Sequence, residues 1–109
     1  MNKLKVIDIG HSNLSIDAAM LDLETKISQL NFEGNYKVIK VIFGHGSGAL
    51  KQTIKGWIKE KEGRFKAIIY GEDYNVFNKV AVDMRSECKL REDNDFGRKN
   101  SGILYVWFW

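Results

Sequence analysis

The chain has 109 residues, 44% hydrophobic and 28% charged, a length and balance that predict one globular domain over residues 1–109. Its single cysteine, Cys88, excludes an intramolecular disulfide and a thiolate zinc cluster, and suits a reducing compartment. Seventeen Lys and Arg against fourteen Asp and Glu give a net charge of +3, a mild excess compatible with a nucleic-acid partner but shared by many enzymes.

Asp8 comes too early for a signal-peptide apolar region, and no apolar run approaches the ~20 residues needed to span a bilayer. A cytoplasmic location with no membrane partner is therefore expected, as a monomer or weak homodimer. The first element is a short strand over 4–9, followed by the polar breaker Gly10-His11-Ser12-Asn13. Ser15 reads as an N-cap with Asp17 in the first turn. Ile16, Ala19, Met20, Leu23, Ile27 and Leu30 then mark one apolar helix face running to about Leu30. Tyr36 to Phe43 is the strongest strand pattern in the chain and leads into Gly44-His45-Gly46-Ser47-Gly48.

A second helix is expected from Ala49, with Leu50, Ile54, Trp57 and Ile58 on one face and Gly63 just past its end. Phe65 to Tyr70 reads as a third strand. Phe77, Val80, Ala81 and Met84 predict a third helix from about Asn75 to Glu87. Residues 89–102 are polar and turn-rich, and Ile103 to Trp109 form a last strand apolar on both faces. Cover by helices on both sides explains that strand; an open aromatic face would instead stack bases or pair subunits. The order β-α-β-α-β-(α)-β predicts an α/β two-layer sandwich with a mixed, mainly parallel four-stranded sheet.

The loop Gly44-x-Gly46-x-Gly48, between a strand and a helix, allows positive φ and leaves backbone amides uncovered. It can hold an anion, helped by the following helix N-terminus, Ser47, the His45 imidazole, Lys51 and Lys55. A tight turn without ligand accounts for the same glycines. The pattern lacks the Gly-Lys-Ser/Thr ending of a mononucleotide loop, because Ala49 and Leu50 follow, and its spacing is not the dinucleotide Gly-x-Gly-x-x-Gly. Glu92, Asp93 and Asp95 would suit a divalent metal or a solvated loop, and no metal ligand set is assigned. Arg98 and Lys99 beside Asn100 would suit a phosphate backbone or a solvated turn.

Val41-Ile42-Phe43-Gly44-His45-Gly46-Ser47-Gly48-Ala49-Leu50 resembles the hallmark of the small MutS-related (Smr) domain, roughly Ile-Ile-His-Gly-Lys-Gly-Thr-Gly-x-Leu. Val6-Ile7-Asp8-Ile9 resembles that family's Leu-Asp-Leu-His-Gly strand end, and Ser15 to Ala19 its next helix start. Residues 71–77 and 93–103 resemble a variant branch with an extra helical segment before the last strand, so the likeness spans nearly the whole chain. The resemblance implies a fold like the C-terminal domain of translation initiation factor three. It also implies nucleic-acid binding, in several members an endonuclease nicking DNA or cleaving RNA, with ribosome association in some.

Asp8 falls on the family's Asp, and Gly44, Gly46 and Gly48 on its loop glycines. The family's first His is Gly10 here, with His11 one position later. The His before the loop is Phe43, and His45 takes the place of a basic residue. An acid–base site would therefore draw on Asp8, His11 and His45, with His11 exchanging protons and Asp8 orienting it or binding a metal. The plainer alternative has Asp8 capping a turn and His11 simply exposed. The sequence thus favours a nucleic-acid binder working through the glycine loop, with endonuclease activity as an extension. A non-catalytic protein-interaction or homodimerisation module is the alternative.

Overall fold

The computed structural model describes residues 4–11, 13–46 and 48–109. Its elements are β1 (Leu4–Asp8), α1 (Ile16–Glu33), β2 (Val38–Ile42), α2 (Ala49–Glu60), β3 (Ala67–Tyr70), α3 (Lys79–Glu87) and β4 (Ile103–Trp107), with a 3-10 turn at Gly71–Asp73. The four strands form one sheet in the order β1-β2-β4-β3. β1 pairs parallel to β2, whereas β4 runs antiparallel to both of its neighbours. Three strands thus share one direction and the last opposes them. The sheet is mixed as the element order predicts, but because β4 lies between β2 and β3, one of its three pairings is parallel and two are antiparallel.

Each helix starts and stops for a local reason. Ser15 Oγ accepts the Ala18 amide at 3.2 Å, and Gly34, at φ 73°, ends α1 in the left-handed conformation. That stop lies almost a turn beyond Leu30, because the glycine rather than the last apolar residue decides it. Ala19, Leu23 and Ile27, four residues apart, face the sheet. They join Ile54 of α2 in a core against Ile7, Ile39, Val41, Leu104, Val106 and Phe108. No helix among the described residues is long and apolar enough to cross a membrane.

The opposite sheet face is covered over β4 and β3. Val38, Ile69, Ile103, Tyr105 and Trp107 pack there against Tyr74, Ala81, Met84, Cys88 and Leu90. Every residue of β4 is buried, so its two apolar faces are explained by burial on both sides. Trp109, just beyond, is exposed and donates its indole N–H to the Gly63 carbonyl at 3.3 Å.

α3 is shorter than the apolar spacing predicts. Asn75 Oδ1 accepts the Phe77 amide at 2.9 Å, and Asn78 Oδ1 caps α3 through Val80 and Ala81. Two asparagine side chains thus capture the backbone before the helix begins, leaving Phe77 94% exposed.

Lys40, in the middle of β2, is the one buried charged residue among those described. Its ammonium pairs with Asp93 at 2.6 Å and with Asp95, and Tyr105 donates its hydroxyl to Asp93. The cation held by these two aspartates is therefore a lysine, and no group of three or more metal-ligating side chains forms among the described residues. Arg85 braces the same loop, donating to the Asp93 and Arg91 carbonyls at 3.2 Å and lying over the Phe96 ring.

Burial pushes the Asp95 carboxyl up, but hydrogen bonds from Lys40 and Asn100 and the nearby positive charges outweigh it and hold it below the ordinary carboxylate range. A carboxyl depressed in the folded state adds stability above its unfolded pKa and loses it as pH falls through the folded value. The gap in urea midpoint between wild type and Asp95→Asn is therefore expected to be full near neutrality. It should close as pH drops below about 4. A gap unchanged across the acid range would contradict the ion pair.

Candidate nucleic-acid interface

The register brings the ends of β1, β2 and β3 and the start of β4 to one edge of the sheet, with Asp8 opposite Ile42 and Ile42 opposite Ile103. Open α/β sheets place their sites at such an edge. Three segments are stitched together there by backbone hydrogen bonds. Ile9 and Gly10 donate to the Ile42 carbonyl at 2.9 and 3.2 Å, while Phe43 and Gly44 donate to the Gly102 carbonyl at 2.9 and 3.0 Å. A side chain at Gly10 would begin 2.8 Å from the Phe43 carbonyl carbon and oxygen, so only glycine fits.

Asp8 organises the end of β1. Its Oδ1 accepts the Gly10 and His11 amides at 3.0 and 3.3 Å, and its Oδ2 meets His11 Nδ1 at 2.8 Å. Burial raises the Asp8 carboxyl, but the His11 and Gly10 hydrogen bonds and the His11 charge together lower it below the ordinary range. The histidine one position later than in the Smr pattern is therefore the one that Asp8 holds. Asp8 both caps the turn and orients the imidazole.

Gly44 and Gly48 adopt φ 79° and 86°, conformations that favour glycine, whereas Gly46 has open space around the position of a side chain. With His11, His45, Phe43 and Lys51 these glycines line a groove of about 380 Å³. The His45 ring lies over Gly102, whose added Cβ would sit 3.0 Å from Cε1.

Of the residues expected from sequence, Gly44, His45, Gly46, Gly48, Lys51 and His11 line this groove, with Asp8 behind His11. Ser47 lies outside the described residues. Lys51 is already engaged: it donates to Glu72 at 2.7 Å and to the Ser101 carbonyl at 3.0 Å. Two of its three N–H groups are thus used within the fold. Burial raises the Glu72 carboxyl and the Lys51 contact outweighs it, leaving the group below its usual range. Lys55, one turn on, lies 5.3 Å over the Tyr70 ring. Arg98 and Lys99 stand outside the groove, exposed in the turn before Asn100, where Lys99 has φ 54°. The partners of Lys51 are invisible to sequence spacing, because they arrive from two later loops.

No protein-family model and no curated protein sequence matches the chain. The crystal structure of the Smr domain of Thermus thermophilus MutS2 does match its fold. The TM-score is 0.61 over 96% of this chain and 98% of that one, at 17% sequence identity. The fold is that of an Smr domain. On this fold Asp8 ends β1, His11 stands in the turn after it, and Gly44 follows the end of β2.

Proposed function

We propose that this Smr-like domain binds the sugar-phosphate backbone of nucleic acid in the groove lined by Gly44, His45, Gly46, Gly48 and His11. The observation that carries the reading is the convergence of a glycine loop, two histidines and a lysine at the carboxyl edge of the sheet. The Smr fold supports it, as does the net charge of +3. On this reading Lys55, Arg98 and Lys99 would supply further phosphate contacts outside the groove. The competing reading, association through the aromatic last strand, is less supported, because Ile103–Trp107 is buried and Trp109 is the exposed member of that stripe.

An acid–base extension rests on the Asp8–His11 contact alone. With Nδ1–H donated to Asp8, Nε2 is left as the proton acceptor. In RNA it would take the proton of the 2′-hydroxyl as that oxygen bonds to phosphorus and the P–O5′ bond breaks. The 5′-oxygen would leave with a proton from water, giving a 2′,3′-cyclic phosphate and a 5′-hydroxyl, while loop amides would stabilise the charge gathering on the phosphate.

Labelled single- and double-stranded DNA and RNA, titrated across a salt series with and without magnesium or manganese, test both readings. Binding is expected to weaken linearly in log–log form with salt, as phosphate contacts release counterions. Gly46→Asp has room to fold and is expected to weaken it by about tenfold by setting a like charge in the groove. If the groove cleaves, His11→Ala should slow cleavage by roughly 10²–10⁴ while binding persists. Absence of binding to all four at low salt would overturn the proposal.

A further inference from the structure

We propose that Asn100, anchored through Asp95 to the buried Lys40, is a positioning residue that sets the glycine loop; this rests on the loop being the phosphate site. The hydrogen bonds form an unbroken run. Lys40 donates to Asp95 Oδ2, and Asn100 Nδ2 donates to Asp95 Oδ1 at 3.3 Å. Asn100 Oδ1 in turn accepts the Gly102 amide at 3.0 Å. The Gly102 carbonyl then accepts the amides of both Phe43 and Gly44. One half-buried amide side chain thus joins an ion pair on the far sheet face to the first residue of the loop.

The geometry leaves this turn no slack. A Cβ on Gly71 would fall 1.9 Å from the Asn100 carbonyl oxygen, and one on Gly102 would fall 3.0 Å from Gly44 backbone atoms. Residues 100–102 are therefore wedged between the Gly71 turn and the glycine loop. The same turn also takes Lys51 through the Ser101 carbonyl, so it fixes two components of the groove at once. A turn gripped on both sides transmits its own position to whatever it touches. Asn100 decides that position because the two ends of its amide link the loop carrying Asp95 to the Gly102 N–H.

The test follows amide hydrogen exchange by NMR in wild type, Asn100→Ala and Asn100→Ser, beside binding of the same labelled oligonucleotides. In Asn100→Ala, exchange at Phe43 and Gly44 is expected to rise by about tenfold, with Leu23 and Met84 in the two cores unchanged. Asn100→Ser retains an oxygen that can accept the Gly102 amide and is expected to recover most of that protection. Affinity should fall and recover in step. Unchanged protection at Phe43 and Gly44 in Asn100→Ala would overturn the inference, as would acceleration spread evenly over all amides. If wild type binds no nucleic acid, the exchange arm still reads the positioning role, and the binding proposal fails alone.

Discussion

Lys40→Ala is expected to lower the stability of the domain by about 3–5 kcal/mol, measured as a loss of urea midpoint. Removing the ammonium leaves Asp93, whose side chain is 3% exposed, and Asp95 facing each other without a counter-charge. Breaking a buried pair from one side costs far more than the pair contributes, because the survivor keeps its desolvation penalty. Against a total of roughly 5–15 kcal/mol for a domain, the loss would bring the chain near its folding threshold. The triple change Lys40→Met, Asp93→Asn and Asp95→Asn should recover much of it. No charge then stays buried, and the amide introduced by Asp93→Asn still offers the Tyr105 hydroxyl an acceptor. Equal losses in the single and triple variants would show that the network contributes packing rather than charge balance.

Placing a histidine at position 10, where the resembled Smr pattern carries one, is expected to fail. Gly10→His should cost about 1–3 kcal/mol or more and should weaken oligonucleotide binding rather than create a second acid–base group. The obstacle is backbone, not a side chain that can rotate away: the new Cβ starts 2.8 Å from the carbonyl carbon and oxygen of Phe43. The strand end cannot retreat, because Ile9 and Gly10 are both tied to the Ile42 carbonyl. Phe43 must shift instead, and with it the two amides bound to Gly102. Gly46→Ala, which meets open space, is expected to stay within about 0.5 kcal/mol of wild type. Thermal melts of the two variants check the contrast, and a Gly10→His protein as stable as wild type would refute it.

Much of the architecture was legible along the chain because it rests on local rules. Ser15 caps α1, and Gly63, at positive φ, stands just past the end of α2, whereas apolar spacing alone stops α1 near Leu30, short of Gly34. The run 103–109 is apolar on both faces, which fits burial on both sides or an open aromatic face, and the packing of β4 decides for burial. Local rules also misled at α3, where an apolar period of 77, 80, 81 and 84 met two asparagines that hold the backbone out of the helix. At the candidate site, the glycine loop and the Asp8–His11 pair are near neighbours in sequence and could be read there. The pairing of Lys51 with Glu72, and of Lys40 with Asp93 and Asp95, joins segments far apart in the chain. Only a lone lysine amid Val-Ile-Lys-Val-Ile and an unexplained aspartate cluster hinted at the second pairing.

The position of β4 has a consequence for how the chain reaches its fold. It follows the other three strands in sequence, yet both β2 and β3 need it as a neighbour. Until it arrives, β1 and β2 can form only a two-stranded ribbon with helices beside it, and β3 has nothing to pair with. Assembly is therefore closed by a strand that must insert between two others, after long loops have already been brought together. Such late, non-local closure slows folding and leaves apolar strand edges open while it lasts. On the ribosome the sheet can close only after Trp107 has emerged.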